Sequence, residues 1–551
     1  MTTRPLLTAA VAILGVASLH AQTVDDALRY SESFPLGTAR SLGTANSMSA
    51  LGADWSAVAA NPAGLAAFRK NDFAITTAGI ITGSTSPIYD GQGSSGAERG
   101  TDLALPQVSL VLTRSPIGSR WTQFNFGVGV SQSNRFEERI GFAGDRPGSI
   151  TDAWLDEANL FGVNTMTGNR IFDGEVDGFP LFLTDPVSIT DLEFFNTFSA
   201  DLAFVSGILI PGDTTDNPDF TTDYDLARGS TNGFFSAGPA LTKSGIVRRE
   251  GRNAAIDLSF GANFDEKLLF GATFALSRLR YESTFNYREA DEADVAGAFG
   301  SLAYNDFSII TGTGIQVRVG AIYRASQALR LGLAYHSPNW INIEDSFDAN
   351  LAYTFTDSDG VDNTNEARPP EASVIEYDFR SPSQYKASAA ALIGKRGFVS
   401  AELTYLDFAG ARFGAPDDAD GPSEEFVNEV NDGAEGIAST LSNAVQVRLG
   451  GEVNLAPAKL RAGFQYIGAP RAGEDAVLGF NAGAGVRRNR FSLDLGYQAL
   501  IRPDRSLSPY SFPEATADGP GAPVEFPRPL VTYTPISHTV ALTLGWKLVS
   551  L

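Results

Sequence analysis

From about residue 71 onward the chain is written in period two, in segments longer than a soluble strand needs. Phe124, Phe126, Val128 and Val130 alternate with Gln123, Asn125, Gly127 and Gly129. Ile315, Val317, Val319, Ala321 and Tyr323 interleave with Gln316, Arg318, Gly320 and Arg324, and Phe491, Leu493, Leu495 and Tyr497 with Ser492, Asp494, Gly496 and Gln498. A strand sends successive side chains to opposite faces, so each segment separates an apolar face from a polar, glycine-bearing one. A soluble sandwich alternates as well, but its strands average about five or six residues, whereas many of these segments reach the roughly ten that a tilted strand needs to cross a bilayer. Segments begin near 71, 106, 121, 253, 267, 307, 328, 380, 397, 443, 459, 477, 490 and 536. They make an even set of fourteen, as closed single-chain bacterial barrels require.

Connection lengths carry the same message. Ser115 to Arg120, Asp265-Glu266, Ala325 to Gln327, Gly394 to Gly397, Ala456 to Ala458 and Arg487 to Asn489 are tight turns, and between them lie long acidic or Gly/Pro-rich links, the longest from about 143 to 252. Membrane barrels show this asymmetry, and closure is compulsory because an open sheet edge in hydrocarbon leaves backbone groups unpaired. The expected fold is all-β: a transmembrane antiparallel barrel of about 14 strands, with apolar side chains to lipid and polar side chains and glycine to the lumen. Tyr323, Tyr335, Tyr497 and Trp546 are expected at the membrane interfaces, and both ends of the mature chain on the short-turn side.

Composition removes several function classes. Among 551 residues, 56 glycines exceed ordinary usage, and 41 Lys+Arg against 64 Asp+Glu leave a charge of −23 that repels nucleic acid. The absence of cysteine excludes disulfides, thiolate metal ligands and a thiol nucleophile. Outside the first twenty residues no apolar run is long enough for a spanning helix, which excludes a polytopic helical transporter. Arg4, the apolar stretch Leu6 to Leu19 and the small-residue boundary Leu19-His20-Ala21 read as a secretory signal. The expected organisation is therefore 1–21 signal peptide, 22–70 N-terminal segment and 71–551 barrel.

That N-terminal segment carries the sharpest motifs: Gly37-Thr38-Ala39-Arg40-Ser41-Leu42-Gly43, Ala50-Leu51-Gly52-Ala53-Asp54-Trp55-Ser56 and Asn61-Pro62-Ala63-Gly64-Leu65-Ala66. They resemble the plug (hatch) of the FadL/TodX family of outer-membrane long-chain fatty acid and aromatic hydrocarbon transporters. Gly312 to Gly314, Gly320 to Tyr323, Arg330 to Leu333, His336-Ser337-Pro338, Gly394 to Gly397, Tyr405 to Phe408, Val447 to Gly450 and Leu460 to Gly463 extend the likeness, especially to Bacteroidetes-type members. The chain departs from the pattern in its long connection at 143–252 and in ending Leu548-Val549-Ser550-Leu551 without a terminal aromatic residue. The resemblance implies a plug at 22–70 inside the lumen, a bacterial outer-membrane location among lipid and lipopolysaccharide, no cofactor, no enzymatic activity, and passive uptake of a hydrophobic small molecule. It also implies an exit through a lateral opening beside a kinked early strand, for which Phe124 to Phe142 is the candidate. Some family members serve protein secretion, so a PorV-like scaffold whose loops receive secretion-system proteins stays open as the alternative, with a passive porin third.

Candidate site residues follow. Pro62 fixes one backbone angle and biases Asn61 toward an extended conformation, making Asn61, Pro62 and Ala63 a plug hinge or ligand-pocket wall. Within the long connection Phe194, Phe195, Phe198, Leu202 and Phe204 define an apolar face that either gathers apolar ligand or packs on neighbouring loops. Lumen-facing Arg318, Arg330, Arg448 and Arg461 are candidates for a cargo carboxylate, although Lys386, Glu402, Asp494, Arg40 and Asp54 stand available as internal partners. Carboxylates at Asp357, Asp359 and Asp362 and at Asp417, Asp418 and Asp420 lack calcium-loop spacing, so no metal is expected. Two mature histidines, His336 and His538, with no Gly-x-Ser-x-Gly elbow, speak against a hydrolase and a haem receptor.

Overall fold

The computed structural model of the chain describes residues 22–94, 97–154, 202–203, 206, 208–211, 224–226, 240–292, 299–356, 359–369, 372–416, 422–434, 436–510 and 529–548. The segment 1–21, expected to be a signal peptide, Phe194, Phe195, Phe198 and Phe204, and Asp357, Asp417, Asp418 and Asp420 lie outside the described residues.

Fourteen antiparallel strands close into one barrel. They are β1 (Asp72–Tyr89), β2 (Arg99–Arg114), β3 (Trp121–Arg135, resuming as Glu138–Arg146), β4 (Leu241–Phe264), β5 (Leu268–Ala290), β6 (Phe299–Arg324) and β7 (Leu329–His336, resuming as Trp340–Thr356). There follow β8 (Ser373–Arg380, resuming as Gln384–Leu392), β9 (Gly397–Leu406), β10 (Ala444–Leu455), β11 (Ala458–Ile467), β12 (Val477–Arg488), β13 (Phe491–Ile501) and β14 (Val531–Lys547). Each strand pairs with its sequence neighbours, and β14 returns to β1 along a register from Lys547↔Asp72 to Val531↔Tyr89.

The faces are inverted relative to a soluble protein. On β5, Phe270, Phe274 and Leu276 point outward and are exposed, while Leu269, Thr273, Ser277 and Tyr281 are buried inside. Ile256 and Phe260 on β4, Val317 and Val319 on β6, Leu495 on β13 and Leu542 on β14 continue the outer apolar belt, and Tyr323, Tyr335, Tyr497 and Trp546 lie exposed on the same outer face. On β5 the belt ends at Arg278. Ten residues from Leu268, at about 3.3 Å each and a tilt near 40°, reach a height of roughly 25 Å, which is that of a membrane barrel's apolar band.

Strand starts agree with the periodicity at the short turns and, among the long-loop ends, at β10 and β12, but β2, β4, β6, β8 and β14 begin earlier than expected, at 99, 241, 299, 373 and 531. Past the belt the outer face turns polar and charged residues follow in succession, as in Arg248-Arg249-Glu250, so period two fades although the ladder continues. There the lengthened strands enclose an aromatic core that includes Tyr89, Phe142, Trp154, Tyr287 and Tyr353. Leu202, assigned from sequence to an apolar face, packs into this core with 1% exposure. A fully buried pair, Lys243 and Glu289, lies beside it: Glu289 accepts from Ser149 Oγ and Ile150 N, while Lys243 donates to Pro147 O and Tyr510.

The N-terminal segment runs inside the barrel as α1 (Val24–Ser31), α2 (Ala39–Leu42), α3 (Trp55–Ala60) and a 3₁₀ turn (Pro62–Ala67). Each piece has its start signal. Thr23 and Asp26 form a reciprocal cap on α1, Thr38 and Asp54 cap α2 and α3, and Asn61 accepts from Ala63 N with Pro62 in the first turn. One expectation is corrected. The end of β14 is at the short-turn rim, where Leu548 N bonds Asn71 O, but the described chain starts inside the barrel toward the long-loop side. Gln22 is buried, and α1 seats Tyr30 against Tyr377 and Phe379. The reason is that Ala27 and Tyr30 need an apolar partner, which the wall supplies at that height.

Lower down, plug and wall meet backbone to backbone at glycines. A Cβ on Gly271 would stand 2.2 Å from Pro62 C and O, one on Gly496 would stand 2.5 Å from Ala39 O, and Gly483 faces Gly43. Gly271→Val should therefore displace the plug while the barrel still forms, raising nonspecific ion conductance in planar bilayers. Gly79→Val, at a position where an added Cβ meets nothing within 4 Å, should conduct like wild type. Equal conductance in the two variants would show that the plug does not depend on this contact.

Candidate functional site: a break in the wall behind the plug

The β2–β3 ladder begins at Arg114↔Phe124 and stops at Val108↔Val130. Both strands go on, β2 paired to β1 as far as Arg99↔Gly83 and β3 paired to β4 as far as Arg135↔Arg252, but no longer with each other. The cause lies in β2. Pro106 has no N–H to donate, and it shares a bulge with Leu105, two residues standing opposite Thr77 alone between Thr76↔Gln107 and Ala78↔Ala104. Strand β3 departs from its own side: its register with β4 shifts between Gln132 and Asn134, and it is interrupted at Phe136-Glu137. Its outer section packs toward β1, with the Phe142 and Tyr89 rings 5.1 Å apart and Arg146 donating to Tyr89 O. The kink falls within the Phe124 to Phe142 segment.

An unpaired edge in hydrocarbon costs free energy at every orphaned group. Here contacts of two kinds bridge it. Leu36 N of the plug donates to Gln132 O at 3.2 Å, forming an isolated antiparallel bridge, and Arg139 reaches across to Asp102 at 3.6 Å. The strap Glu32–Leu36 thus substitutes for the missing neighbour of β3.

Immediately inside lies a cavity of about 120 Å³. Gln107 and Ser131 to Ser133 of the break form one side, Leu36, Trp55 and Ala60 of the plug another, and Arg318, His336, Lys386 and Arg448 the far wall. The far wall is widened by irregularities at Pro338, between the two sections of β7, and at Pro382, between those of β8. Trp55 lies flat on Gly127 and Gly129 of β3, where a Cβ would approach its ring to 2.7 and 2.6 Å, and its indole N–H is buried without a partner. On the long-loop side of the strap is a larger cavity of about 770 Å³, reaching the loops at 468–475 and 502–508. Glu32, Ser33 and Leu36 line both spaces, so the strap is the partition between them.

The arginines singled out from sequence all have internal partners. Arg318 meets Asp257 at 3.3 Å and Gln316 at 2.7 Å; Arg448 meets Glu402 at 3.1 Å and Gln446 at 2.7 Å. Arg461 bridges Glu452 and Asp494, and Arg40 of the plug joins it on Glu452 at 3.1 Å. Arg330 donates to Leu51 O of the plug. Arg318 and Arg448 border the inner cavity, and Arg330 and Arg461 do not. Asn61 wedges between β6 and β7, its amide donating to Ala321 O, while Pro62 and Ala63 pack on the wall; their neighbour Ala60 borders the cavity, where its carbonyl lies 3.0 Å from His336 Nε2. Sequence reading missed Leu36, Gln107, Gln132 and the strap. One signal was present: Pro106 inside an otherwise alternating segment marks a place where a ladder cannot continue.

No protein-family model and no curated protein matches the sequence. Solved structures similar to the chain include a Pseudomonas aeruginosa FadL homologue, at 14% identity over 94% of this chain and 99% of that one with a TM-score of 0.48. The Pseudomonas putida toluene transporter TodX is similar at 12% identity over 94% and 100% with a TM-score of 0.44, and the Ralstonia pickettii toluene transporter TbuX at 13% over 90% and 93% with 0.40.

The Arg448–Glu402 pair is almost wholly buried, so removing one partner strands the other's charge. Arg448→Met should cost about 3–5 kcal/mol, measured as a lowered guanidinium midpoint for loss of the folded barrel in detergent. An unchanged midpoint would show that Glu402 finds another partner.

Proposed function

We propose that this chain is a FadL/TodX-type outer-membrane channel for passive uptake of hydrophobic small molecules. The observation that carries the reading is the β2–β3 break, which opens on an internal cavity and is spanned by a strap of the plug. Cargo enters the larger cavity from the long-loop side, passes the strap into the inner cavity, and leaves sideways past Gln107 and Gln132 into lipid. A lateral exit spares an apolar molecule the passage through water that an axial exit demands. No nucleotide-binding motif accompanies the barrel, so the driving force is the cargo's own gradient and its partition into lipid. The motifs at Gly394 to Gly397 and Tyr405 to Phe408 support placing the chain with the Bacteroidetes-type members.

Cavity size bears on the cargo. An apolar cavity on the order of 150 Å³ holds benzene, so the inner cavity, at about 120 Å³, is close to the size of one small ring. A long acyl chain passes only when the strap and plug move. Asn61, Pro62 and Ala63 then act as the anchored base about which the plug shifts. Arg318, Arg330, Arg448 and Arg461, committed to internal partners, hold plug and wall in place. Phe194, Phe195, Phe198 and Phe204 are proposed, with Leu202, to belong to the external loop surface over which cargo arrives. Both mature histidines have structural partners, His336 with Ala60 O and His538 with Tyr497, in keeping with transport rather than catalysis.

The strap is testable because the chain contains no cysteine. Leu36→Cys with Gln132→Cys places thiols on bridged antiparallel partners, which stand about 4.5–5.5 Å apart and fall within disulfide range. Oxidation should abolish uptake of labelled dodecanoate by cells carrying the double variant, and reductant should restore it. Uptake that is indifferent to the crosslink would exclude passage past the strap.

A further inference from the structure

The outer surface of the wall sorts its charges by sign just above the apolar belt. One register row crosses β3 to β8 as Arg135, Arg252, Arg280, Thr311, Glu344 and Glu376. Arginines stand beside arginines, and past a threonine glutamate stands beside glutamate. Like charges directly opposite on neighbouring strands are destabilising, so a surface settled by its own ion pairs would mix the signs. This chain carries a net charge of −23 and still gathers cations here.

Neighbouring carboxylates answer part of that charge. Arg135 meets Glu137 at 2.8 Å, Arg280 gives its Nε to Glu282 at 2.6 Å, and Glu250 takes Arg139 at 3.4 Å. Arg252, and Arg278 in the next row toward the belt, are exposed and have no carboxylate partner among the described residues. Arg252 lies opposite Arg280, and Arg278 lies opposite Ala254. The three arginines thus hold three corners of a quadrilateral whose fourth corner is a methyl group. Its sides are about 5 Å across the strands and about 7 Å along them, short enough for three long side chains to converge on one tetrahedral anion. The next row down, Ile256, Leu276 and Ile315, is apolar and exposed on the belt. An anion held at the arginines therefore has hydrocarbon directly beneath it, which is the arrangement of a lipid head group and its chains.

We infer that Arg252, Arg278 and Arg280 form an outer-wall site for the phosphomonoester of an acylated lipid, with its chains along Ile256, Leu276 and Ile315. A guanidinium meets a phosphate through paired charge-assisted hydrogen bonds, and the phosphate supplies the counter-charge missing between Arg252 and Arg280. Glu344 and Glu376, at the same height, repel phosphate and confine the site to the β4–β5 face. The patch is on the long-loop side, which in outer-membrane barrels faces away from the cell, so the lipid belongs to the outer leaflet. This rests on the outer-membrane location in the reading above and on nothing about uptake.

The test is native mass spectrometry of the full-length protein in dodecyl maltoside, titrated with diphosphoryl lipid A, with the same lipid dephosphorylated, and with inorganic phosphate. Wild type should bind the phosphorylated lipid at least about tenfold more tightly than the dephosphorylated one, and inorganic phosphate in about tenfold excess should not displace it. Arg252→Gln combined with Arg278→Gln should weaken the phosphorylated lipid at least about tenfold and change the dephosphorylated one less than about twofold. Arg488→Gln, a loss of charge at the exposed short-turn rim, should change neither. Removing Arg252 relieves its repulsion of Arg135 and Arg280, so the double variant should unfold in lipid-free detergent at the wild-type temperature or above. Equal affinity of wild type for the two lipid forms, or unchanged binding by the double variant, overturns the site. Displacement by inorganic phosphate at equal concentration overturns the lipid assignment, and a lowered unfolding temperature assigns the arginines to the fold instead. Each of these failures leaves the uptake reading standing, because the strap crosslink tests that reading on the inside of the wall.

Discussion

The structure depends on the close approach of two backbones, plug against wall, inside the barrel. A membrane barrel has its apolar belt outside, so in the lower lumen the polar wall leaves less to apolar burial than a soluble core has. What fills the lower lumen instead is a segment of small residues seated on glycines of the wall: Pro62 on Gly271, Ala39 on Gly496 and Gly43 on Gly483. Missing side chains let hydrogen-bonding groups meet directly. Asn125 donates to Leu65 O and Phe68 O, Asn481 donates to Leu42 O, and Ala39 N donates to Thr543 Oγ1. Buried ion pairs such as Arg40 to Glu452 are then satisfied rather than stranded.

The same requirement, that every backbone group in hydrocarbon be paired, explains why the wall break is informative. Among the described residues, β2 and β3 part while each still pairs with its other neighbour. At the β2–β3 interface a proline withdraws its donor, a bulge turns β2 aside, and a piece of the plug takes over part of the unpaired edge of β3. A seal made by a segment that is not itself part of the sheet can be released without unzipping the barrel. The strap is attached at one end to α1, which is held by aromatic contacts in the upper lumen, and at the other to the glycine-seated plug below. It borders the outer and inner cavities alike, so whatever shifts it alters the outer cavity and the wall together.

Much of this was legible in the chain. Alternation located the fourteen strands because lipid and lumen impose opposite preferences on adjacent side chains, and it lost their starts beyond the belt, where the outer face is no longer apolar. The lumen arginines could be listed, since each falls on the polar parity of its strand. Their partners could not, because Asp257 and Arg318, or Glu402 and Arg448, become neighbours only through register. The apolar run around Leu202 gave no indication whether it faced ligand or core, as both environments reward the same residues.

By itself the sequence determined the barrel, its strand number, its inside and outside, and the presence of a small-residue segment ahead of it. Those properties follow from local periodicity and from a solvent that allows no unpaired edge. Only the tertiary structure decided where the wall opens and what covers it. Pro106 marks a ladder that must stop, but Leu36 on Gln132 and Arg502 on Phe34 join segments far apart in the chain. Contacts of that kind are set by the path of the plug through the closed barrel, and no pattern of neighbouring residues records that path.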